Sequence, residues 1–335
     1  MKIAIVGAGA IGGYLGARLS AAGEQVTFIA RNRNLQAIRE NGFHLELEDG
    51  STLHAPEANA VQHMAEAGVQ DAVLITVKAH QVVDLLPEIG ALIGPETLVV
   101  TMINGVPWWY FQRLQGPYEG RVLESVDPGG RLAAAFDPGQ LIGSIVYPAA
   151  ELVAPGRVKV IEGNRFTLGE LDGQRTERLE RLAGAFMAAG FKAPVSKDIR
   201  SELWVKLWGN LSFNPISALT HATLEEICGF EPTRALAAAM MAEGQAVAEA
   251  LGVRFRITLE QRIAGAAAVG AHKTSMLQDV EAGRALELEA LVGAVIELGR
   301  ITGVPTPTVA AVHAATSLLG LTLQRHKGRL QIQAG

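Results

Sequence analysis

Cysteine is almost missing from this chain: Cys228 is the single example in 335 residues. One cysteine excludes an intrachain disulfide framework and any cysteine-based metal cluster, and it reads as a small core residue rather than a nucleophile. Eight histidines are present, but none in an H-x-x-x-H or H-E-x-x-H arrangement, so no zinc-type ligand spacing exists. No serine stands in a G-x-S-x-G turn, which removes the nucleophile-elbow hydrolases. There is no basic surplus either. Lys and Arg total 29 against 34 Asp and Glu, a net charge of −5, so no nucleic-acid footprint is indicated.

A long uninterrupted apolar run is also missing, although two stretches come near. The N-terminal MKIAIVGAGAIGGYLGARLSAAG superficially resembles a signal peptide, but Gly7, Gly9, Gly12 and Gly13 fall inside its apolar run. Ile301 to Gln324 carries no formal charge, yet Pro305, Pro307, His313 and several threonines interrupt it. It reads as a buried helix rather than a membrane span. The expectation is a cytoplasmic protein with no membrane partner. With 49% hydrophobic residues and a mean hydropathy of +0.21, the chain can bury a large core, and its length fits two domains better than one.

What is present begins at once. Lys2–Val6 (KIAIV) is a short apolar strand, followed by GAGAIGG and the helix-like IGGYLGARLSAAG. This is G-x-G-x-x-G at Gly7, Gly9 and Gly12, in the strand–turn–helix setting that a dinucleotide fingerprint requires. The first glycine permits the tight turn, the second lets backbone approach a pyrophosphate, and the third lets the helix pack close. The candidate cofactor turn is therefore Gly7, Ala8, Gly9, Ala10, Ile11 and Gly12, with the helix N-terminus facing the phosphates. A second strand, Gln25–Ala30, ends in Arg31-Asn32-Arg33, with no acid between Val26 and Leu35. An acid here would grip a ribose 2′-hydroxyl, whereas an arginine accommodates a 2′-phosphate. NADP(H) is thus favoured over NAD(H), with Arg31 as the contact.

His44–Leu53 alternates around Asp49-Gly50 as a hairpin. Ala72–Val77 and Leu98–Ile103 read as buried parallel strands, with a helix from about Val82 to Ile93 between them. Lys78, Gln81 and Asn104 fall at the carboxyl ends of these strands, where open α/β sheets bind ligands. For Asn104, a turn role before Gly105 is the plainer alternative. From Arg121, the runs RVLESV, LIGSIVYPAAELV, GRVKVIEG and RFTLGEL suggest an antiparallel extension of the sheet. A helix over Arg175–Gly190 and a short strand over Phe191–Lys197 close a first domain at 1–197.

The second domain, 198–335, reads as helical almost throughout. It opens on Ile199–Pro215, IRSELWVKLWGNLSFNP, where Lys206, Asn210 and Asn214 recur at steps of four on one helical face. Leu203, Trp204, Leu207, Trp208, Leu211 and Phe213 wrap that face too broadly for a solvent-facing helix. A lysine and two amides in such surroundings need partners or a job. Further helices are expected at Ala235–Leu251 and Leu259–Val269, with a long periodic segment over Leu277–Thr302. Ser275, Glu287 and Glu289 are polar groups in or beside this apolar region, and each taken singly fits a cap or a solvated face.

Several motifs in order carry a family resemblance: GAGAIGG, TVKAHQ at Thr76–Gln81, and Asn104-Gly105; then APG at Ala154–Gly156, LWVKLWGNLSFNP at Leu203–Pro215, and SMLQD with a glutamate twelve residues after its serine, Ser275 to Glu287. Along nearly its whole length the chain resembles the ketopantoate reductase (2-dehydropantoate 2-reductase) family. The resemblance implies an α/β Rossmann-type NAD(P)-binding domain and an all-α C-terminal domain like that of 6-phosphogluconate dehydrogenase, with the active site in the interdomain cleft. It implies reduction of a 2-oxo acid to a 2-hydroxy acid with NADPH, with Lys206 as general acid and Glu287 as its acidic partner. It further implies substrate contacts from Asn210, Asn214 and the Ser275 hydroxyl. Asn104 would sit beside both substrate and nicotinamide, Lys78 and Gln81 would line the cofactor groove, and Arg31 would meet the 2′-phosphate. A homodimer is held open as the assembly.

Two stretches depart from the family pattern: VPWWYF after Gly105, and Glu124–Gln140 with its DPGG and DPGQ turns. Trp108 and Trp109 either line the substrate pocket or pack in a core. Competing readings are a reductase of another 2-oxo acid, an opine-type dehydrogenase, and a catalytically silent NADP(H)-sensing protein. The opine-type reading needs a histidine acid–base group, which has no comparable place here. The sensor needs only the first domain.

Overall fold

The computed structural model describes residues 1–55 and 58–328. Its strands are β1 (Lys2–Val6), β2 (Gln25–Ile29), β3 (Phe43–Glu46), β4 (Thr52–Ala55), β5 (Asn59–Val61), β6 (Ala72–Ile75), β7 (Leu98–Thr101), β8 (Leu141–Val146), β9 (Ala149–Ala154), β10 (Arg157–Glu162) and β11 (Phe166–Glu170). Helices in this part of the chain are α1 (Ala10–Ala21), α2 (Asn32–Asn41), α3 (Met64–Ala67), α4 (Leu86–Ile89), α5 (Arg131–Ala135) and α6 (Glu177–Ala188). Contacts divide the chain into two compact units. One comprises Met1–Ile103, Pro107–Val122 and Gly129–Glu202; the other comprises Asn104–Val106, Leu123–Pro128 and Leu203–Gly335.

The first unit is built on a seven-stranded sheet of order β11-β8-β7-β6-β1-β2-β5, parallel except for β11. β6, β7 and β8 are buried at every position, as expected of strands covered on both faces. From β1 the chain runs outward one way to β2 and β5, and then the other way to β6, β7 and β8. The strand order therefore reverses beside β1, where doubly wound sheets bind ligands. Ile3, Ile5, Phe28, Phe43, Phe166 and Phe186 are fully buried in this unit's core, each contributing about 1.5–3 kcal/mol.

A second, four-stranded sheet has the order β4-β3-β10-β9. It packs on α1 through Gly13, where a Cβ would come within 2.5 Å of the Phe43 ring. α6 starts on a Thr176 cap and is tied back by Arg178, whose guanidinium forks onto the fully buried Glu170 at 2.5 and 2.8 Å. The Thr176 hydroxyl donates to the same carboxylate at 2.6 Å.

The second unit contains most of α7 (Ile199–Thr220), then α8 (Leu224–Gly229), α9 (Glu231–Ala250), α10 (Leu259–Ala268), α11 (Ser275–Glu281), a π-helical turn over Glu289–Gly293, α12 (Ala294–Thr302) and α13 (Pro307–Arg325). Trp204 and Trp208 on α7 are fully buried, and the Trp208 indole donates to the Met241 carbonyl at 2.7 Å. Gly244 lets α9 close on α7, since a Cβ there would meet Leu211 at 2.4 Å. α13 lacks a side-chain cap of its own; Glu243 on α9 accepts its Thr308 and Val309 N–H groups, each at 2.9 Å.

Several expectations are corrected. The helix over Val82–Ile93 is instead a 3-10 turn at Ala79–Leu85, the single turn α4 and another 3-10 turn at Gly90–Leu92, broken where Pro87 lacks an N–H. RVLESV is not a strand: its Glu124 and Ser125 N–H groups donate to Glu297 rather than to a ladder. The antiparallel extension holds only for β11. β8 joins the parallel sheet, Pro148 ends it, and β9 and β10 belong to the second sheet, with β10 parallel to β3. Phe191–Lys197 makes only isolated bridges at Lys192 and Val195, with Pro194 between them. The segment Leu277–Thr302 breaks at Gly283, whose φ of +63° ends α11. Nor is Ile301–Gln324 a buried helix: α13 buries only Val309, Val312, Thr316 and Leu323 and exposes Leu318 and Leu321. Among the described residues, no helix is long and apolar enough to cross a membrane.

Candidate active site

Two groups of the residues singled out by sequence lie in the two units, and each is built differently. The first is the glycine turn between β1 and α1. Gly7 has a φ of +109°, and Gly12 faces its carbonyl so closely that a Cβ would stand 2.0 Å from that oxygen. Only hydrogen fits there. Gly9, by contrast, has nothing within 4 Å of where its Cβ would be. α1 has neither an acidic residue in its first turn nor a side-chain cap. Its leading N–H groups and the open face at Gly9 fit the phosphates of a dinucleotide, which is the chemistry that a helix N-terminus offers.

Two residues that sequence reasoning left without a role hold this turn in shape. Thr76, just past β6, donates its hydroxyl to the Gly7 carbonyl at 2.6 Å. Asn34 in α2 donates to the Ala8 carbonyl at 2.5 Å and accepts from the Gly156 N–H at 2.7 Å, joining the turn to the APG motif. Nothing local marks Asn34, because its partners lie 26 and 122 residues away. Arg31 is exposed at the start of α2, after β2. Lys78 is half-buried. Gln81 is exposed and spends its side-chain carbonyl on the Lys78 N–H at 3.2 Å, a cap for the 3-10 turn that follows.

The second group gathers on α7. Lys206 is half-buried, and its ammonium donates to Asn104 Oδ1 at 2.7 Å, across 102 residues of sequence. Desolvation lowers its pKa from the usual 10.5 to about 8, while the Glu287 carboxylate pulls the other way. Asn104 is more than a turn residue: its amide oxygen is committed to this lysine. Asn210 is half-buried on α7, about one helical turn beyond Lys206. Asn214 is buried and lies 3.4 Å from the Ser275 hydroxyl, which stands exposed as the first residue of α11. Glu287 is half-buried between α11 and the π turn, and Glu289 is exposed and paired with His313 at 2.9 Å.

From Pro107 on, the bulky VPWWYF stretch goes into the first unit's interior rather than lining a pocket. Trp109 is 1% exposed, donates to Thr101 at 2.7 Å and packs over Gly143; Trp108 is 2% exposed and packs against Phe136, the rings tilted by 34°. Among the described residues, no group of His, Cys, Asp and Glu could hold a metal ion. What the α7 cluster can do is donate a proton near neutral pH to an oxygen held beside its amides.

Residues 3–173 match the ketopantoate reductase PanE/ApbA family and residues 198–319 match that family's C-terminal part. The chain belongs to the ketopantoate reductase family. A 2-dehydropantoate 2-reductase from Mesorhizobium japonicum is 54% identical over 322 residues, covering 96% of this chain and 98% of that protein. A crystal structure from Ralstonia solanacearum MolK2 aligns with a TM-score of 0.91 at 41% identity, covering 96% of this chain and 98% of that one. The 2-dehydropantoate 2-reductase of Geobacter metallireducens aligns with a TM-score of 0.83 at 28% identity, covering 95% and 99%. This ketopantoate reductase family member is therefore an oxidoreductase acting on a CH–OH group, with a parallel α/β N-terminal part and a helical C-terminal part.

Proposed function

We propose that the protein reduces 2-dehydropantoate to pantoate with NADPH, a step of pantothenate biosynthesis in the cytoplasm, and that Lys206 is the proton donor. The observation that carries this reading is the state of Lys206: its pKa is lowered to about 8 and its ammonium is fixed 2.7 Å from Asn104 Oδ1. An ordinary exposed lysine is too weak an acid to protonate a developing alkoxide efficiently. One near 8 remains charged at neutral pH and parts with its proton more readily. The substrate choice is supported by the Mesorhizobium japonicum relative, which is named a 2-dehydropantoate 2-reductase and is 54% identical.

When bound, the dinucleotide supplies hydride to the keto carbon; the remaining work falls to this chain. Negative charge grows on the carbonyl oxygen, and Lys206 stabilises it and then gives it a proton. Glu287 keeps the lysine charged before reaction, and Asn104 keeps its ammonium aimed. Asn210 and Asn214 hold the substrate by their amides, and the Ser275 hydroxyl takes its carboxylate. In the reverse direction neutral Lys206 accepts the proton from the hydroxy acid. On the cofactor side, the turn from Gly7 to Gly12 receives the pyrophosphate. Lys78 and Gln81 flank the cofactor, Arg31 pairs with the 2′-phosphate, and Asn104 serves the nicotinamide as well as the lysine. A homodimer remains the assembly proposed.

The test is a panel of 2-oxo acids followed at 340 nm with NADPH and NADH in parallel. 2-Dehydropantoate with NADPH should give the highest kcat/KM. A better rate on another 2-oxo acid would replace the substrate, and oxidation of neither nucleotide by any of them would remove the reductase reading.

A further inference from the structure

The loop carrying Asn104 is pinned to the helical segment that follows Glu287. Gly105 has a φ of +83°, and a Cβ there would stand 2.3 Å from the Ala290 carbonyl oxygen and 2.5 Å from its carbon. The next residue, Val106, donates its N–H to that same carbonyl at 2.8 Å. Ala290 lies in the π-helical turn Glu289–Gly293. A π turn displaces the regular helical bonding, and so makes a carbonyl available for a partner outside the helix. The turn is in its own right braced from outside. Glu289 Oε1 bonds His313 on α13 at 2.9 Å, and Gly293 leaves room for this, since a Cβ there would meet Glu289 Oε2 at 2.1 Å.

We propose that this π turn is the positioning element for the proton donor, with Gly105 and Glu289 as its positioning residues. One short segment fixes both groups that act on Lys206. Glu287 stands two residues before the turn, and its carbonyl accepts from Leu291 inside it at 3.3 Å. Asn104 is held by the bond and the close contact to Ala290. Glu287 is the charged group that acts on Lys206, and Asn104 is its hydrogen-bond acceptor. The inference rests on the proposed role of Lys206 as proton donor.

Gly105→Ala tests it, because the added methyl collides with backbone rather than with a flexible side chain. With Asn104 displaced, the ammonium loses an acceptor, and its pKa should fall by about one further unit. The direct readout is a pH titration of protein labelled with 13C at lysine Cε, the Lys206 resonance being the one lost in Lys206→Met. The second readout is the alkaline limb of kcat for NADPH-dependent reduction. Both should move downward in Gly105→Ala, and Asn104→Ala should produce the same shift with no further change in the double variant. Glu289→Gln, which keeps its shape but weakens the His313 brace, should lower kcat about two- to threefold while leaving KM for NADPH unchanged. A folded Gly105→Ala protein whose Lys206 titrates unchanged, or higher, overturns the proposal. If Gly105→Ala does not fold, an unchanged kcat in Glu289→Gln overturns it, and the expected fall supports it. The titration needs no turnover, so failure of the reductase reading is separable: it would show as an inactive wild type with Lys206 still titrating near 8.

Discussion

The glycine turn and the α7 cluster solve opposite problems. At the turn, the proposed binding depends on missing atoms: Gly12 has no room for a methyl, nothing stands within 4 Å of where a Gly9 Cβ would be, and α1 has no side-chain cap competing for its N–H groups. At the cluster, the proposed chemistry depends on a charge kept where charge is unfavourable, with Lys206 desolvated, hydrogen-bonded to Asn104 and favoured in its charged form by Glu287. The first is a matter of shape and is insensitive to pH in the neutral range. The second is a matter of electrostatics, and pH is its natural variable. Binding and chemistry should therefore be separable by substitution.

The largest effect should come from the charge. Lys206→Ala is expected to lower kcat by about 10²–10⁴-fold, with NADPH affinity by fluorescence titration nearly intact. Turnover within a few-fold of wild type would erase the distinction between the two regions. The converse variant is Gly12→Val, which places a branched side chain against the Gly7 carbonyl. It should weaken NADPH binding by about 100-fold or more, while the Lys206 titration stays where it was; an unchanged Kd would mean that the turn does not hold the dinucleotide. Arg31→Ala should reduce the preference for NADPH over NADH by about 10–100-fold, the worth of one charge-assisted phosphate contact. Equal loss for both nucleotides would point to another contact for the 2′-phosphate. Glu287→Gln should have the smallest effect. Because Glu287 raises the Lys206 pKa, neutralising it should move the alkaline limb of reduction to lower pH.

The same contrast explains what could be read from the chain. The turn is local: Gly7, Gly9 and Gly12 follow a strand and open a helix within a dozen residues, so their spacing announces the geometry. The face of α7 was equally legible, because Lys206, Asn210 and Asn214 share one helical period. Their partners were not. Asn104 reaches Lys206 across 102 residues, and Asn34 joins segments 122 residues apart; no local pattern encodes either contact. Motif resemblance supplied Glu287 and Ser275, which by themselves fit a solvated face or a cap. The errors cluster where proline or a side-chain acceptor took backbone groups out of regular structure. Pro87 broke an expected helix, Pro148 separated β8 from β9, and Glu297 captured the N–H groups of an expected strand. The place of VPWWYF stayed open in the sequence, since tryptophan at a strand end fills a core as readily as it lines a pocket, and both tryptophans are buried.

The central claim is that Lys206 carries the proton, and the pH dependence of kcat measured in both directions tests it most directly. Reduction needs the ammonium, so its rate should be level at lower pH and decline as pH rises through about 8; oxidation of the hydroxy acid needs the neutral amine and should rise through the same value. The two limbs should cross near that pH and both disappear in Lys206→Met. Rates that ignore pH across this range, or limbs that persist in the variant, would contradict it.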